Sequence, residues 1–172
     1  MHQETFPDPT NRLEIHPSAY ISPHAIVSGS VTIGADSSVW PMVVIRGDNS
    51  RIRIGERCNI QDGTILHADP DAFLTIGDEV SIGHAAVVHG CTVEPQVLIG
   101  IGAVVLNHAH IGSGSLIAAR ALVTEGMQIP PASLVVGIPA MIKPLSPAHR
   151  ERIARTVRSY LRLKELYRNN KT

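Results

Sequence analysis

Large aromatic side chains are scarce in this sequence. Phe, Trp and Tyr supply 3% of its 172 residues, with Trp40 the single tryptophan, although hydrophobic residues as a whole reach 44%. A core must therefore be assembled from Val, Ile, Leu and Ala, which suits a thin, regular, layered architecture better than an ordinary globule. Cysteine is scarcer still. Cys58 and Cys91 are too few for a disulfide framework in a chain this long, so each reads as a small buried hydrophobe and the compartment as a reducing cytoplasm. A run of ~18 apolar residues, as a membrane span requires, is missing. Residues 1–9 lack the basic and apolar regions of a signal peptide. Formal net charge is zero and the pI is about 7.1, which gives no global attraction to nucleic acid or membrane, and neither is expected as a partner.

The charge is nevertheless unevenly placed. Residues 1–145 hold 7 Lys/Arg against 13 Asp/Glu, whereas residues 146–172 hold 8 against 2. The basic end is read as a solvated helix docking on an acidic body. Ser146-Pro147 is a good helix start, Ser as the cap and Pro at the first helical position. Ile153, Val157, Tyr160 and Leu161 share one face, so an amphipathic helix is expected from about Pro147 to Asn169.

What the sequence has in abundance is repetition. An aliphatic residue recurs every six positions at Ile15, Ile21, Val27, Ile33, Val39 and Ile45, resumes at Ile54, Ile60 and Leu66, then at Ile76, Ile82 and Val88. It resumes once more from Val93 through Ile99, Val105, Ile111 and Ile117 to Val123. A period of six is neither helical nor simple strand alternation; it is the signature of a parallel β-helix built from hexapeptides, three to a triangular coil of ~18 residues. The fold class expected is all-β, with a β-helix domain over residues 1–145, including an N-terminal extension and a terminating segment, and a C-terminal α-helix over residues 146–172. Register breaks are expected to loop out at residues 46–53 and 68–75, the latter around the turn signal Asp69-Pro70-Asp71. The prism is expected to end after Gly126.

This frame sorts the histidines between residues 46 and 90. His67 follows the inward Leu66, and His89 follows the inward Val88, so both fill the same outward slot. Leu66 and Val88 lie 22 residues apart, four of which belong to the insertion, leaving one coil of 18. The two rings should therefore stack roughly one strand spacing of ~4.8 Å apart, close enough to share a zinc-like ion. His84 lies in another slot near a corner and faces elsewhere. A three-fold packing of prisms would carry His84 of one subunit to the His67/His89 pair of the next, so a homotrimer follows from the ligand geometry. His108 and His110 are read as exposed loop or corner residues.

The motifs Arg46-Gly47-Asp48, Asn59-Ile60-Gln61-Asp62-Gly63 with His67, and His84 with His89-Gly90-Cys91 closely resemble those of the γ-class carbonic anhydrase family and its bacterial homologues. The likeness extends from Ile15 to the C-terminal helix. It implies a left-handed coil, an exception to the usual crossover handedness. It implies that His67 and His89 of one subunit and His84 of its neighbour bind the metal. Arg46 and Asp48 look like the family's inter-subunit salt bridge. Gln61 resembles the residue that orients the attacking hydroxide, with Asn59 and Asp62 behind it. Tyr160 resembles a tyrosine at the active-site rim.

The implied activity is that of a zinc-dependent lyase, the reversible hydration of carbon dioxide to bicarbonate, with Fe or Co as other metals that accept three imidazoles and water. Because the ligands must be deprotonated, metal and activity should fall away toward pH ~6. The sequence departs from the family's active pattern at Asn49, where a glutamate is usual, and in the short 68–72 loop, which offers only Asp69 and Asp71. Slow or absent turnover fits that departure. Two other readings stay open: a hexapeptide acyltransferase using acyl-CoA, suggested by Ile111-Gly112-Ser113-Gly114 and Val136-Gly137-Ile138-Pro139-Ala140, and a metal-binding scaffold or thioesterase at the same site.

Overall fold

The computed structural model describes residues 12–169. The reading of residues 1–9 as lacking a signal peptide lies outside them. Short parallel strands wind into a three-faced prism, the left-handed β-helix of hexapeptide repeats expected from the sequence. Among the described residues, one face belongs to an eight-stranded sheet, and the other two form a continuous 11-stranded sheet. They are continuous because two long strands, Ile26–Ile33 and Val44–Ile54, run round the corner between them.

The six-residue aliphatic series supplies the core. From Ile33 to Val123 every member is 0–1% exposed, each contributing on the order of 1.5–3 kcal/mol of burial free energy. Only small or branched side chains fit the narrow prism, which is why the scarcity of aromatics and the architecture agree. Cys58 and Cys91 are free and buried within this core. Burial pushes both thiols up to about 12.

The register break expected at residues 46–53 is a bulge inside the strand Val44–Ile54: Gly47 pairs with Gly29 and Ile52 with Val31, so Asp48, Asn49, Ser50 and Arg51 stand against Ser30 alone. One expectation about the register needs correction. The prism does not end after Gly126. Ile129 and Val135 carry the series on, in strands Gln128–Ile129 and Ser133–Val136 paired to the coil before them. The prism closes with an antiparallel partner, Met141–Pro144, on Ser133–Val136. The Pro and Gly residues that suggested an end lie at corners, where the chain turns without leaving the solenoid. The 68–75 insertion does turn as expected, with the Ala72 amide donating to the Asp69 carbonyl at 3.0 Å.

The outward residues distinguish the three faces. The first presents Glu14, Thr32, Arg53, Thr75, Thr92, His110 and Gln128 in cross-strand register, a polar ladder. The second presents Leu98, Leu116 and Leu134, which pack against Leu145 and Ile153 and are covered by the helix Pro147–Asn169. The third presents Ile26, Val44, Ile65, Val87, Val104 and Leu122 in one unbroken register, all partly or fully exposed.

Ser146 caps the helix, its Oγ accepting from the His149 amide at 3.3 Å. Ile153 and Val157 are buried as the helical pattern predicts, but so is Lys164, at 1% exposure. Its Nζ reaches across the prism end to Asp36 Oδ1 at 2.8 Å and pairs with Glu165 at 2.8 Å. Tyr20, Trp40, Tyr160 and Tyr167 meet beside it, with ring centroids 5.0–6.0 Å apart. Four of the six aromatic residues are thus spent on seating the helix. No helix among the described residues is long and apolar enough to cross a membrane.

Candidate metal centre

The third face delivers His67 and His89. Each ends a three-residue strand, Ile65–His67 or Val87–His89, directly after a fully buried aliphatic residue, so alternation turns both rings outward. His89 is registered on His67 across the strand pair. The ring centroids lie 4.9 Å apart, and His67 Nδ1 is 2.8 Å from His89 Nε2.

Each ring is fixed from behind. Arg46 registers on His67 from the neighbouring strand, which brings Asp48 within reach. His67 Nε2 lies 3.0 Å from Asp48 Oδ1, and Arg46 donates to the other carboxylate oxygen. Burial pushes the Asp48 carboxyl up, but the hydrogen bonds from Arg46 and His67 outweigh it and hold the group below the ordinary carboxylate range. Behind His89, Nδ1 is 2.5 Å from Asn107 Oδ1, while Asn107 Nδ2 donates to Asp69 Oδ2 at 2.8 Å. Gly90 is required here. Its φ is +48°, and a Cβ on it would overlap the Asn107 side chain.

These partners assign the tautomers. An ionised carboxylate only accepts, so His67 carries its proton on Nε2, toward Asp48. Asn107 spends its amide protons on Asp69, so its carbonyl faces His89, whose proton lies on Nδ1. The two remaining ring nitrogens, His67 Nδ1 and His89 Nε2, therefore both present lone pairs to the 2.8 Å gap between them. With both rings in the neutral form, two acceptors face each other without a proton between them, and a cation placed against both relieves the opposition. Among the described residues, His67, Asp69 and His89 form the group whose metal-capable atoms all lie within 4.8 Å of one another. The residues present fit a zinc-class ion, with the Asp48 and Asn107 contacts orienting its imidazoles.

The remaining predicted residues gather elsewhere. His84 lies at the corner between the second and third faces and does not join that group. Its Nδ1 is 2.9 Å from Asp62 Oδ2, and its Nε2 is 3.5 Å from the Tyr160 hydroxyl. Burial, with the Asp62 charge adding to it, raises the Tyr160 hydroxyl above its ordinary value. Gln61, just past the second-face strand Asn59–Ile60, is 5% exposed. Its amide donates to Asn59 Oδ1 at 2.9 Å, and Asn59 donates to Ser81 Oγ at 2.7 Å, which leaves Gln61 Oε1 without a donor among the described residues. One chain thus separates the predicted residues into two groups: Arg46, Asp48, His67 and His89 on one side, and Gln61, His84 and Tyr160 on the other.

Sequence reasoning did not single out Asn107, whose segment reads as a loop, and treated Asp69 only as an acidic loop residue. A signal for Asn107 was available, since it lies 18 residues after His89, one coil on. His108 is exposed at a corner as expected, whereas His110 lies in a strand, 2.9 Å from Glu94.

No family model matches the chain. Protein YrdA of Escherichia coli is 34% identical over 174 residues, covering 96% of this chain and 91% of YrdA. The carnitine operon protein CaiE of E. coli is 36% identical over 126 residues, 73% of this chain and 64% of CaiE. Gamma carbonic anhydrase 2, mitochondrial, of Arabidopsis thaliana is 34% identical over 155 residues, 86% of this chain and 56% of the plant protein. The chain therefore spans under two thirds of CaiE and of the plant protein, and nearly all of YrdA. Among solved structures, a Bacillus cereus protein provisionally assigned as an acetyltransferase matches with a TM-score of 0.91 at 36% identity, over 93% of this chain and 94% of that one.

Proposed function

The chain belongs to the γ-class carbonic anhydrase-like family of hexapeptide-repeat proteins, and on that premise we propose that it is a metal-dependent hydratase that interconverts carbon dioxide and bicarbonate at subunit interfaces of a homotrimer. The observation that carries this reading is the pair of opposed lone pairs on His67 Nδ1 and His89 Nε2, 2.8 Å apart. Neutral imidazoles locked in that arrangement are suited to a divalent cation. His84, held on the far side by Asp62, supplies a third imidazole from a neighbouring subunit. The bare apolar ladder from Ile26 to Leu122 lies on the face that carries His67 and His89, and it suits burial against a second copy of the chain.

Held by His67, His89 and a neighbouring subunit's His84, a zinc-class ion would lower the pKa of water to about 7 and so supply a nucleophile at neutral pH. The chain's own residues do the rest. Asp48 keeps the His67 proton on Nε2, with Arg46 fixing the carboxylate. Gln61, its amide tethered to Asn59, offers Oε1 to accept a hydrogen bond from the attacking oxygen and so hold one of that oxygen's lone pairs toward carbon. Tyr160, seated against Trp40 and 3.5 Å from His84, borders the site and limits the water around it. Asp71, exposed on the adjacent loop, is the acidic group that accepts protons leaving for bulk buffer. Free, buried Cys58 and Cys91 suit a reducing cytoplasm.

The test is to purify the protein without chelator, measure metal per subunit, and assay carbon dioxide hydration beside His89→Ala. One metal per subunit and hydration in the parent, both missing in the variant, is the expected result. Metal without hydration in the parent would reject the hydratase and leave a metal-binding protein. Likeness to the Bacillus cereus protein favours acyl transfer from acyl-CoA as the second reading. Turnover of acetyl-CoA by metal-free protein would establish it.

A further inference from the structure

The lone pairs on His67 and His89 are accompanied by a third donor from the same chain. Asp69 Oδ1 lies 4.0 Å from His89 Nε2, and His67, His89 and Asp69 each offer a metal-capable atom within 4.8 Å of the other two. Each is aimed from behind. Asp48 holds His67, and Asn107 holds both of the others, its carbonyl on His89 Nδ1 and its amide on Asp69 Oδ2. That one asparagine decides which nitrogen of His89 and which oxygen of Asp69 face the gap. The loop is closed beneath Asp69 by the Ala72 amide on its carbonyl, so the carboxylate is presented by a short turn that follows His67 by one residue.

Two imidazoles and a carboxylate grouped in this way, with coordination positions left open, form a donor set for first-row divalent ions. The carboxylate also brings the negative charge that a site of neutral imidazoles lacks. We infer that Asp69 is a metal ligand, and that a single subunit therefore carries a complete three-donor site, His67, His89 and Asp69, which captures a divalent cation without His84 from a neighbour. The inference rests on the metal reading proposed above and extends it to the order of events: metal first, assembly second. It also gives the 68–75 insertion a purpose, since an uninterrupted hexapeptide would carry no turn there to present Asp69.

Zinc binding to metal-free protein, measured by competition with a chromogenic chelator, tests it with four proteins: the parent, H84A, D69N, and H84A/D69N. Asn at position 69 keeps the shape of the side chain and an acceptor for Asn107. H84A is expected to keep one zinc per chain, whatever its oligomeric state, and H84A/D69N to bind at least ~10-fold more weakly than H84A. The cobalt-substituted parent and D69N are expected to differ in their visible spectra, which a folding defect alone would not produce. Far-ultraviolet circular dichroism confirms that each variant is folded. If H84A/D69N binds zinc as tightly as H84A, Asp69 lies outside the coordination sphere and the inference fails while the imidazole site survives. If the parent itself binds no zinc, the metal reading and this inference fall together.

Discussion

His89 lies beside His67 on adjacent coils, in cross-strand register, with unprotonated ring nitrogens facing each other across 2.8 Å. Without a cation this pair is a local conflict; with one it links two coils. Chelation is therefore expected to lower the melting temperature of the parent by about 5–10 °C, the shift that ~2–3 kcal/mol of binding free energy gives a chain of this size. His89→Ala should melt at the same temperature with and without chelator. Differential scanning calorimetry reads both, and an equal chelator effect in the two proteins would rule out the pair as the metal's seat.

The ladder Ile26, Val44, Ile65, Val87, Val104 and Leu122 makes a separate claim. Ile65 is 45% exposed and lies at the middle of this face, between Val44 and Val87. Ile65→Glu places a charge there without touching the inward series. Sedimentation velocity is expected to show the parent as a trimer and the variant as a monomer, with an unchanged circular dichroism spectrum. A variant that stays trimeric would move the interface to another face.

Lys164 gives a stability prediction with a sign. Asp36 is held below its ordinary carboxylate range, chiefly by the hydrogen bond from Lys164. Burial pulls the Lys164 ammonium down, but hydrogen bonds to Asp36 and Glu165 outweigh it and leave the group raised. The depressed Asp36 contributes stability above its unfolded value of ~3.9, lost as pH falls through the lower folded value. The raised Lys164 contributes below its unfolded value of ~10.4, lost as pH rises through the higher folded one. The pair should therefore stabilise the docked helix between about pH 4 and pH 10. Asp36→Ala leaves the buried ammonium with Glu165 as its one carboxylate partner and is expected to cost about 1–2 kcal/mol, discounted because Asp36 is half exposed, whereas Lys164→Met should cost less. Urea unfolding at pH 7 compares the two; the reverse order would mean the pair is not what holds the helix.

The thiols give the simplest prediction. With both pushed up to about 12 by burial, neither forms thiolate near neutrality. Ellman's reagent at pH 8 is expected to find no thiol in the native protein and two after denaturation. A rapid native reaction would mean that the prism opens at Cys58 or Cys91.

Much of this was legible because hexapeptide arithmetic converts sequence distance into place. Leu66 and Val88 differ by one coil plus a four-residue insertion, and their histidines do stack. The same arithmetic connects His89 with Asn107, but a segment that looks like a loop hides a residue set at a corner. Residues 46–53 read as an insertion because the aliphatic series breaks there; the bulge of Asp48, Asn49, Ser50 and Arg51 stays inside one continuous strand, which the series alone does not show. Lys164 looks like a solvent-facing cation of a basic helix; nothing local reveals that Asp36, 128 residues away, waits at the other end of the prism.

The sequence by itself determined the solenoid, its inward series and the shared slot of His67 and His89. It could do so because a strict period fixes which residues meet their counterparts one turn later. Only the tertiary structure decided how the remaining groups are aimed. Asp48 and Asn107 set the protons on the two rings, Asp69 turns an oxygen toward them, and the helix covers one face while leaving an apolar one bare. Those outcomes depend on side-chain direction and on contacts between faces, and a one-dimensional period carries neither.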